Sequence, residues 1–212
     1  MKIIKPSFEI LNTDNGIERL KRIERAGRTC YKSEDKITND SALKFVKMIL
    51  ERGHHSVLEH ESVSVRIICD RGVSHEIVRH RLVSYSQEST RYCNYAKEKF
   101  GSELTFVDPD PYIKYQTPEY AMWVSAMCAA ELRYFNLIDL GVAPQMARSV
   151  LPNSLKTELV MTCNLREWRH FFKLRTAPDA HPQMREIAIP MLKEFRARIP
   201  VVFDDLEFES EK

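Results

Sequence analysis

SVSVRIICDRGVSHEIVRHRLVSYSQES, Ser62 to Ser89, changes its structural period partway along. From Ser62 to Ile68 the side chains alternate, with Val63, Val65 and Ile67 against Ser62, Ser64 and Arg66, the period-two pattern of a half-buried strand. Asp70-Arg71-Gly72 reads as its turn. Val73, Ile77 and Val78 then recur at helical spacing and lead into Arg79-His80-Arg81. From Tyr85 to Lys97 the chain is polar and reads as an extended functional loop. Arg79-His80-Arg81 places two guanidiniums and an imidazole in consecutive positions, and hydroxyls follow at Ser84, Tyr85, Ser86, Ser89 and Thr90, then Arg91. Alone, such a triplet is a solvated basic helix end, favoured there by the helix dipole. With Ser89 and Arg91 at fixed spacing behind it, it suits phosphate groups joined to a polar ring system, because a guanidinium satisfies two phosphate oxygens at once.

Outward from this stretch, Ile3 to Leu11 predicts a first strand, and Gly16 to Ala26 a helix with Ile17, Leu20 and Ile23 inward. Asn39-Asp40-Ser41 caps a helix through Leu43, Val46, Ile49 and Leu50 that Gly53 ends. Pro109, Pro111 and Pro118 punctuate a loop. Glu119 to Leu140 is a helix with Tyr120, Trp123, Val124, Met127, Tyr134, Leu137 and Ile138 mostly on one face; Gly141 closes it and Pro144 opens a short helix through Arg148. Thr157 to Cys163 reads as a strand. Arg166 to Leu174 and Gln183 to Ala197 read as helices, the second kinked at Pro190. Trp168, Phe171 and Phe172 are packing residues, with Asn164, Arg166, His170 and Arg175 at the polar positions of the same segment. The strands do not alternate with helices as βαβ units. The expectation is a helix-rich α+β chain with a small, mostly antiparallel sheet, forming a single domain over 1–212.

Composition narrows the chemistry. A net charge of +2 over 212 residues argues against a dedicated nucleic-acid binder. The charge is uneven: Gln145 to Arg175 holds six basic residues against Glu158 and Glu167, whereas the tail carries Asp204, Asp205, Glu207, Glu209 and Glu211, the pattern of a solvated end. Cys30, Cys69, Cys93, Cys128 and Cys163 are odd in number and widely spaced, as reduced cytosolic thiols are. MKIIKPSFEI lacks the apolar run of a signal peptide, and no stretch is long and apolar enough to span a membrane, so a cytoplasmic protein without a membrane partner is expected. None of the six glycines lies in a dinucleotide fingerprint or a phosphate loop, so any nucleotide must be held by side chains. His54, His55, Glu59 and His60 fit no zinc template, and His75-Glu76 is followed by His80 one residue too late; no metal is expected. No cysteine or serine sits in an activating motif. Tyr92 and Tyr95, flanked by Arg91 and Lys97, leave open a single-stranded nucleic-acid-binding module over 79–97.

Four segments resemble the flavin-dependent thymidylate synthases: GHHSVLEH (53–60), HEIVRHRLVSYSQESTRY (75–92, containing the family's RHR-x7-S signature), ARSVLP (147–152) and NLREWRHFFKLR (164–175), in family order. The resemblance implies an α+β fold and a homotetramer with active sites shared between subunits. It implies conversion of dUMP to dTMP with 5,10-methylenetetrahydrofolate as carbon donor and FAD, reduced by NADPH, as hydride source. Carried over by residue, His54, Ser56, Arg79, His80, Arg81, Gln87, Asn164, Arg166 and His170 match flavin-contacting positions. Glu76, Arg79, Gln87, Glu88, Ser89, Thr90, Arg91, Arg148 and Arg175 match dUMP positions, with Ser89 and Arg175 the catalytic ones. Gln87, His170 and Cys30 stand where some members have Glu, Asn and Ser, and His181 sits one residue out of register with a family histidine. A nucleic-acid module predicts salt-sensitive single-strand binding and no chromophore; another flavoprotein oxidoreductase predicts NADPH oxidation indifferent to dUMP.

Overall fold

Pro6 divides the first predicted strand. In the computed structural model, which describes residues 1–12, 14–98 and 101–208, Ile3–Leu11 resolves into β1 (Lys2–Ile4) and β2 (Ser7–Ile10). Proline has no N–H for a ladder, so the chain turns at Lys5-Pro6 and the two halves join different sheets. β1 pairs in parallel with β5 (Thr105–Val107), Lys2 opposite Thr105. β2 lies at the edge of a four-stranded sheet of order β2-β3-β6-β4, where β3 is Ser62–Asp70, β4 is Ser84–Gln87 and β6 is Lys156–Asn164. The architecture is α+β and helix-rich, with a small sheet that is mostly antiparallel. Glu209 and Glu211 of the acidic tail lie outside the described residues.

The chain divides into two compact units. One comprises Met1–Ser7, Ile67–Arg79 and Tyr85–Val160. Its core gathers Leu104, Phe106, Tyr134 and Leu155, with the Tyr95 ring edge-on to Tyr134 at 5.9 Å. Helix α4 (Pro118–Asp139) starts with Pro118 in its first turn and the Thr117 hydroxyl accepting from Tyr120 N–H at 3.3 Å. It buries Tyr120, Met127 and Tyr134; Trp123, Val124, Leu137 and Ile138 are only half-buried, so its inward stripe is narrower than expected, and the short helix α5 (Pro144–Ala147) follows it. The expected Asp70-Arg71-Gly72 turn is the start of helix α3 (Arg71–Ile77), with Asp70 Oδ1 accepting from Val73 N–H at 2.7 Å. Val73 and Ile77 are buried, while Val78, expected inward, is exposed where the helix ends. The Tyr85–Lys97 segment is not all loop. Its start is β4, and the backbone N–H of Glu88 reaches the carbonyl of Glu158 at 2.8 Å.

The other unit comprises Phe8–Arg66, His80–Ser84 and Met161–Lys212. Helix α1 (Gly16–Thr29) packs on α2 (Ser41–Glu51) through Leu20, Ile23, Phe45, Val46 and Ile49. Ile17 and Leu43, expected inward, are exposed; Gly27 and Ala42 sit in the contact instead. A Cβ on Gly27 would come within 2.6 Å of the Phe45 ring, so the glycine sets how closely the helices approach. Glu24 is 1% exposed, yet both oxygens are used: Arg28 reaches one at 2.8 Å and the Ser41 hydroxyl the other at 2.7 Å. A buried carboxylate is tolerated only when paired in this way.

Helix α6 (Leu165–Arg175) carries the centre of this unit's core. Trp168 is fully buried, stacks on Phe172 at 5.6 Å, meets Phe171 and Phe195 at 5.5 and 4.9 Å, and gives its indole N–H to the carbonyl of Val63 at 3.0 Å. Helix α7 (Pro182–Arg198) supplies Phe195 and continues on both sides of Pro190. Arg169 grips Asp205 through two bonds of 2.6 Å, holding that carboxyl below its usual pKa range. Among the described residues no helix is long and apolar enough to cross a membrane. Replacing Trp168 by Ala empties a site bounded by three aromatic rings. The expected loss is about 3–5 kcal/mol of unfolding free energy, read from urea denaturation followed by circular dichroism; a loss below about 1 kcal/mol would contradict the central place given to this ring.

Candidate functional site

The three residues of the cationic triplet have different surroundings. Arg79 and Arg81 are exposed, whereas His80 between them is 5% exposed. The cationic density read from the sequence is therefore two solvent-facing guanidiniums flanking a buried ring.

In the unit that holds Arg79, the residues after β4 are fixed one by one. The Gln87 amide donates to the hydroxyls of Ser74 at 3.0 Å and Thr157 at 3.1 Å. Glu88 accepts from the Tyr95 phenol and from Lys156, each at 2.8 Å. Ser89 shapes a turn, its carbonyl accepting from Tyr92 and Cys93 N–H at 3.1 and 2.9 Å. Thr90 is buried and its hydroxyl accepts from Arg148 at 3.1 Å. Thr90 and Arg148 line a 440 Å³ cavity together with Arg71, His75 and Asn153. Two guanidiniums and an imidazole around one opening suit a phosphate. Glu76 is half-buried on α3 and Arg91 is exposed, lying over the Tyr92 ring at 5.4 Å.

In the unit that holds His80, Gly53 at φ +70° stops α2 and turns the chain into a short 3-10 helix, His55–His60. His54 and Ser56 thereby line a 540 Å³ cavity with Arg28, Cys30, Tyr31 and Arg52. Arg166 and His170 line a second cavity of 590 Å³ with His55 and Lys173. Asn164 caps α6, its Oδ1 accepting from Glu167 N–H at 2.9 Å. Glu167, 8% exposed, does not turn back to complete the capping box; it meets His80 Nδ1 at 3.2 Å. Arg175 Nε donates to His80 Nε2 at 3.1 Å. A guanidinium can only donate, so Nε2 carries the lone pair and Nδ1 the proton given to Glu167. Burial pushes the His80 pKa below its usual value, the Glu167 contact opposing and Arg175 and His170 reinforcing that shift.

His80, Glu167 and His170 offer donor atoms within 4.8 Å of one another. Both ring nitrogens of His80 are already engaged, one by a cation, which opposes a metal ion there. Glu59, weighed in the sequence for a metal, is paired with Arg166 at 2.6 Å. Tyr95, read as a stacking platform for bases, is 8% exposed and part of the core. Sequence reasoning missed Glu167, Lys156, Arg71 and His75 as members of these clusters. Only Glu167 left a signal, the Asn-x-x-Glu spacing of a capped helix start.

The family described as thymidylate synthase complementing protein matches residues 13–201. A flavin-dependent thymidylate synthase of Pyrococcus furiosus is 38% identical over 173 residues, 81% of this chain and 70% of that one. One from Mycolicibacterium gilvum is 37% identical over 203 residues, 87% of this chain and 78% of that one. The solved structure of the UMP/dUMP methylase PolB from Streptomyces cacaoi, bound with 5-Br dUMP, has a TM-score of 0.79 at 24% identity and covers 96% of both chains, a likeness of fold.

Cys69 and Cys163 are buried, and burial pushes both thiols far above their usual pKa, so neither is a nucleophile. In the native protein at pH 8 a chromogenic disulfide reagent is expected to modify exposed Cys30 and Cys128 and to spare Cys69 and Cys163 until denaturant is added. Fast native labelling of Cys163 would place a reactive thiol in the α6 cluster.

Proposed function

The chain belongs to the flavin-dependent thymidylate synthases, and from that premise we propose how its own residues share the work. The reaction is the reductive methylation of dUMP to dTMP with 5,10-methylenetetrahydrofolate as carbon donor, FAD as the flavin and NADPH as reductant. When bound and reduced by NADPH, FAD would supply the hydride, so that tetrahydrofolate leaves unoxidised.

One observation supports the division of labour. The residues assigned to the nucleotide fall almost entirely in one compact unit, and those assigned to the flavin almost entirely in the other. Glu76, Arg79, Gln87, Glu88, Ser89, Thr90, Arg91 and Arg148 share the first; His54, Ser56, His80, Arg81, Asn164, Arg166 and His170 share the second. Arg79 and Gln87, assigned to both ligands, are in the first, and Arg175 is in the second.

The donors present suit both ligands. The phosphate of dUMP is taken by Arg148 and Arg91, with Thr90 orienting Arg148. Glu88 is held by Lys156 and Tyr95 as a fixed acceptor near that site. The cavity lined by His54 and Ser56 also carries Arg52 and Lys36, cations for a pyrophosphate, beside Ser33 and Tyr31 for polar rings, with Arg28 in its wall paired to Glu24. This replaces the glycine loop that the sequence lacks. Arg175 is the fixed cation beside negative charge developing on the pyrimidine. No protein nucleophile is required, in keeping with the inert Cys69 and Cys163.

We further propose a homotetramer with shared sites, a single catalytic domain over 1–212, a cytoplasmic location and no nucleic-acid partner. The nucleic-acid reading loses ground because Tyr95 is packed rather than presented. Visible absorbance tests the whole proposal. The purified protein, loaded with FAD, is expected to bleach under anaerobic NADPH and to respond to dUMP; a protein that takes up no flavin contradicts it. Arg175→Ala is expected to keep flavin and lose turnover on the order of 10²-fold in a dTMP product assay; wild-type turnover would remove Arg175 from the mechanism.

A further inference from the structure

We propose that Glu167 is a positioning residue for Arg175, acting through His80. The proposal rests on the assignment of Arg175 to the pyrimidine. All the side chains involved belong to one compact unit.

Glu167, Phe171 and Arg175 stand at i, i+4 and i+8 on α6, one strip of the helix about 12 Å long. The His80 ring fits that strip. Its centroid is 5.0 Å from the Phe171 ring, its Nδ1 is 3.2 Å from Glu167 and its Nε2 is 3.1 Å from Arg175 Nε. His170, one position around the helix, meets the same ring edge-on at 5.7 Å. The imidazole thus bridges the first and last turns of one helix.

An imidazole has three states: neutral with the proton on Nδ1, neutral with it on Nε2, and charged. Only the first has a lone pair on Nε2 for Arg175. The other two set a donor against a donor, and the charged state also sets a cation against a cation. Glu167 selects the first, because its carboxylate accepts from Nδ1–H. This is how a second carboxylate orients a ligating histidine in metal sites, with a guanidinium here in the metal's place. The bond lands on Nε, the guanidinium nitrogen nearest the stem, so it sets the plane of the whole group. Both His80 nitrogens are engaged in the relay, so the flavin contact assigned to this residue would be one of packing.

Groups facing the ring include Glu167, Arg175 and His170, besides the Phe171 face. Burial, Arg175 and His170 together outweigh Glu167, so the ring loses its proton at a lower pH than a free imidazole does. The contact persists above that pH and is lost as pH falls through the depressed value.

The test compares wild type, Glu167→Ala and Glu167→Gln in full-length, FAD-loaded enzyme, with NMR of the same proteins labelled with 15N-histidine and free of ligands. Glu167→Ala is expected to lower kcat about 10- to 100-fold, a larger change than in flavin content or in the KM for dUMP. Glu167→Gln, whose amide oxygen still accepts from Nδ1–H, is expected to recover most of that loss. The wild-type His80 ring is expected as the Nδ1–H tautomer at pH 7.5, shifting towards Nε2–H in Glu167→Ala. Wild-type kcat in the Ala variant, no recovery in the Gln variant, or an Nε2–H ring in wild type each overturns the proposal. A wild type that makes no dTMP is a failure of the functional reading instead, and the tautomer still decides the relay. If Glu167→Ala does not fold, the wild-type tautomer and the Gln variant decide it.

Discussion

The bond from the Trp168 indole to the carbonyl of Val63 sets the rotation of α6 about its own axis, and the unit it belongs to depends on that rotation. With Trp168 and Phe172 turned into the aromatic core, helical geometry leaves little choice for the rest. Glu167, Phe171 and Arg175 fall on the strip that receives His80. Arg166, His170 and Lys173 fall on the side that lines a cavity. One eleven-residue helix is at once the unit's core wall and the carrier of Arg166, His170 and Arg175, residues proposed for the site. The Asn164 cap fixes where that helix begins and therefore the register of everything on it.

Nucleotide recognition without a glycine loop places a burden on long side chains, which lose rotamer freedom when held. On the proposed assignment, the chain meets it by holding its charged and polar groups from behind. Thr90 holds Arg148, Lys156 and Tyr95 hold Glu88, Ser74 and Thr157 hold Gln87, and His80 holds Arg175. Each partner is at least half-buried, so these bonds are shielded from competing water. The same logic appears away from the site, where buried Glu24 is shared by Arg28 and Ser41.

Much of this was legible in the sequence. The period-two run over Ser62–Ile68 became β3, and Val63, Val65 and Ile67 are buried as that alternation required. Residues 165–175 and 118–139 are long enough, and periodic enough, to read as helices. The motif residues resolved into clusters that follow the two units. What escaped had physical reasons. Ser84–Gln87 is a strand with no apolar alternation, held by its neighbour rather than by a hydrophobic face. Ile17 and Leu43 are exposed although apolar, and Gly27, which carries no apolar side chain to announce it, lies against the Phe45 ring. Tyr95 looked like a polar-loop aromatic, but its phenol is satisfied by Glu88, which permits burial. Glu167 and His80 are 87 residues apart, and no local spacing announces their meeting.

The double duty of α6 also limits how this chain can change in length. Each residue of a helix turns it by about 100°. One residue inserted or lost between Trp168 and Arg175 would rotate the carboxyl-terminal turn away from His80 while the amino-terminal turn stayed docked on Val63. The helix therefore has no neutral place for a length change. The segment between β5 and α4, where Pro109 and Pro111 punctuate a loop, carries no such phase relationship. Across a lineage, drift in length should collect in loops of that kind, while α6 keeps its residue count even as its individual side chains vary.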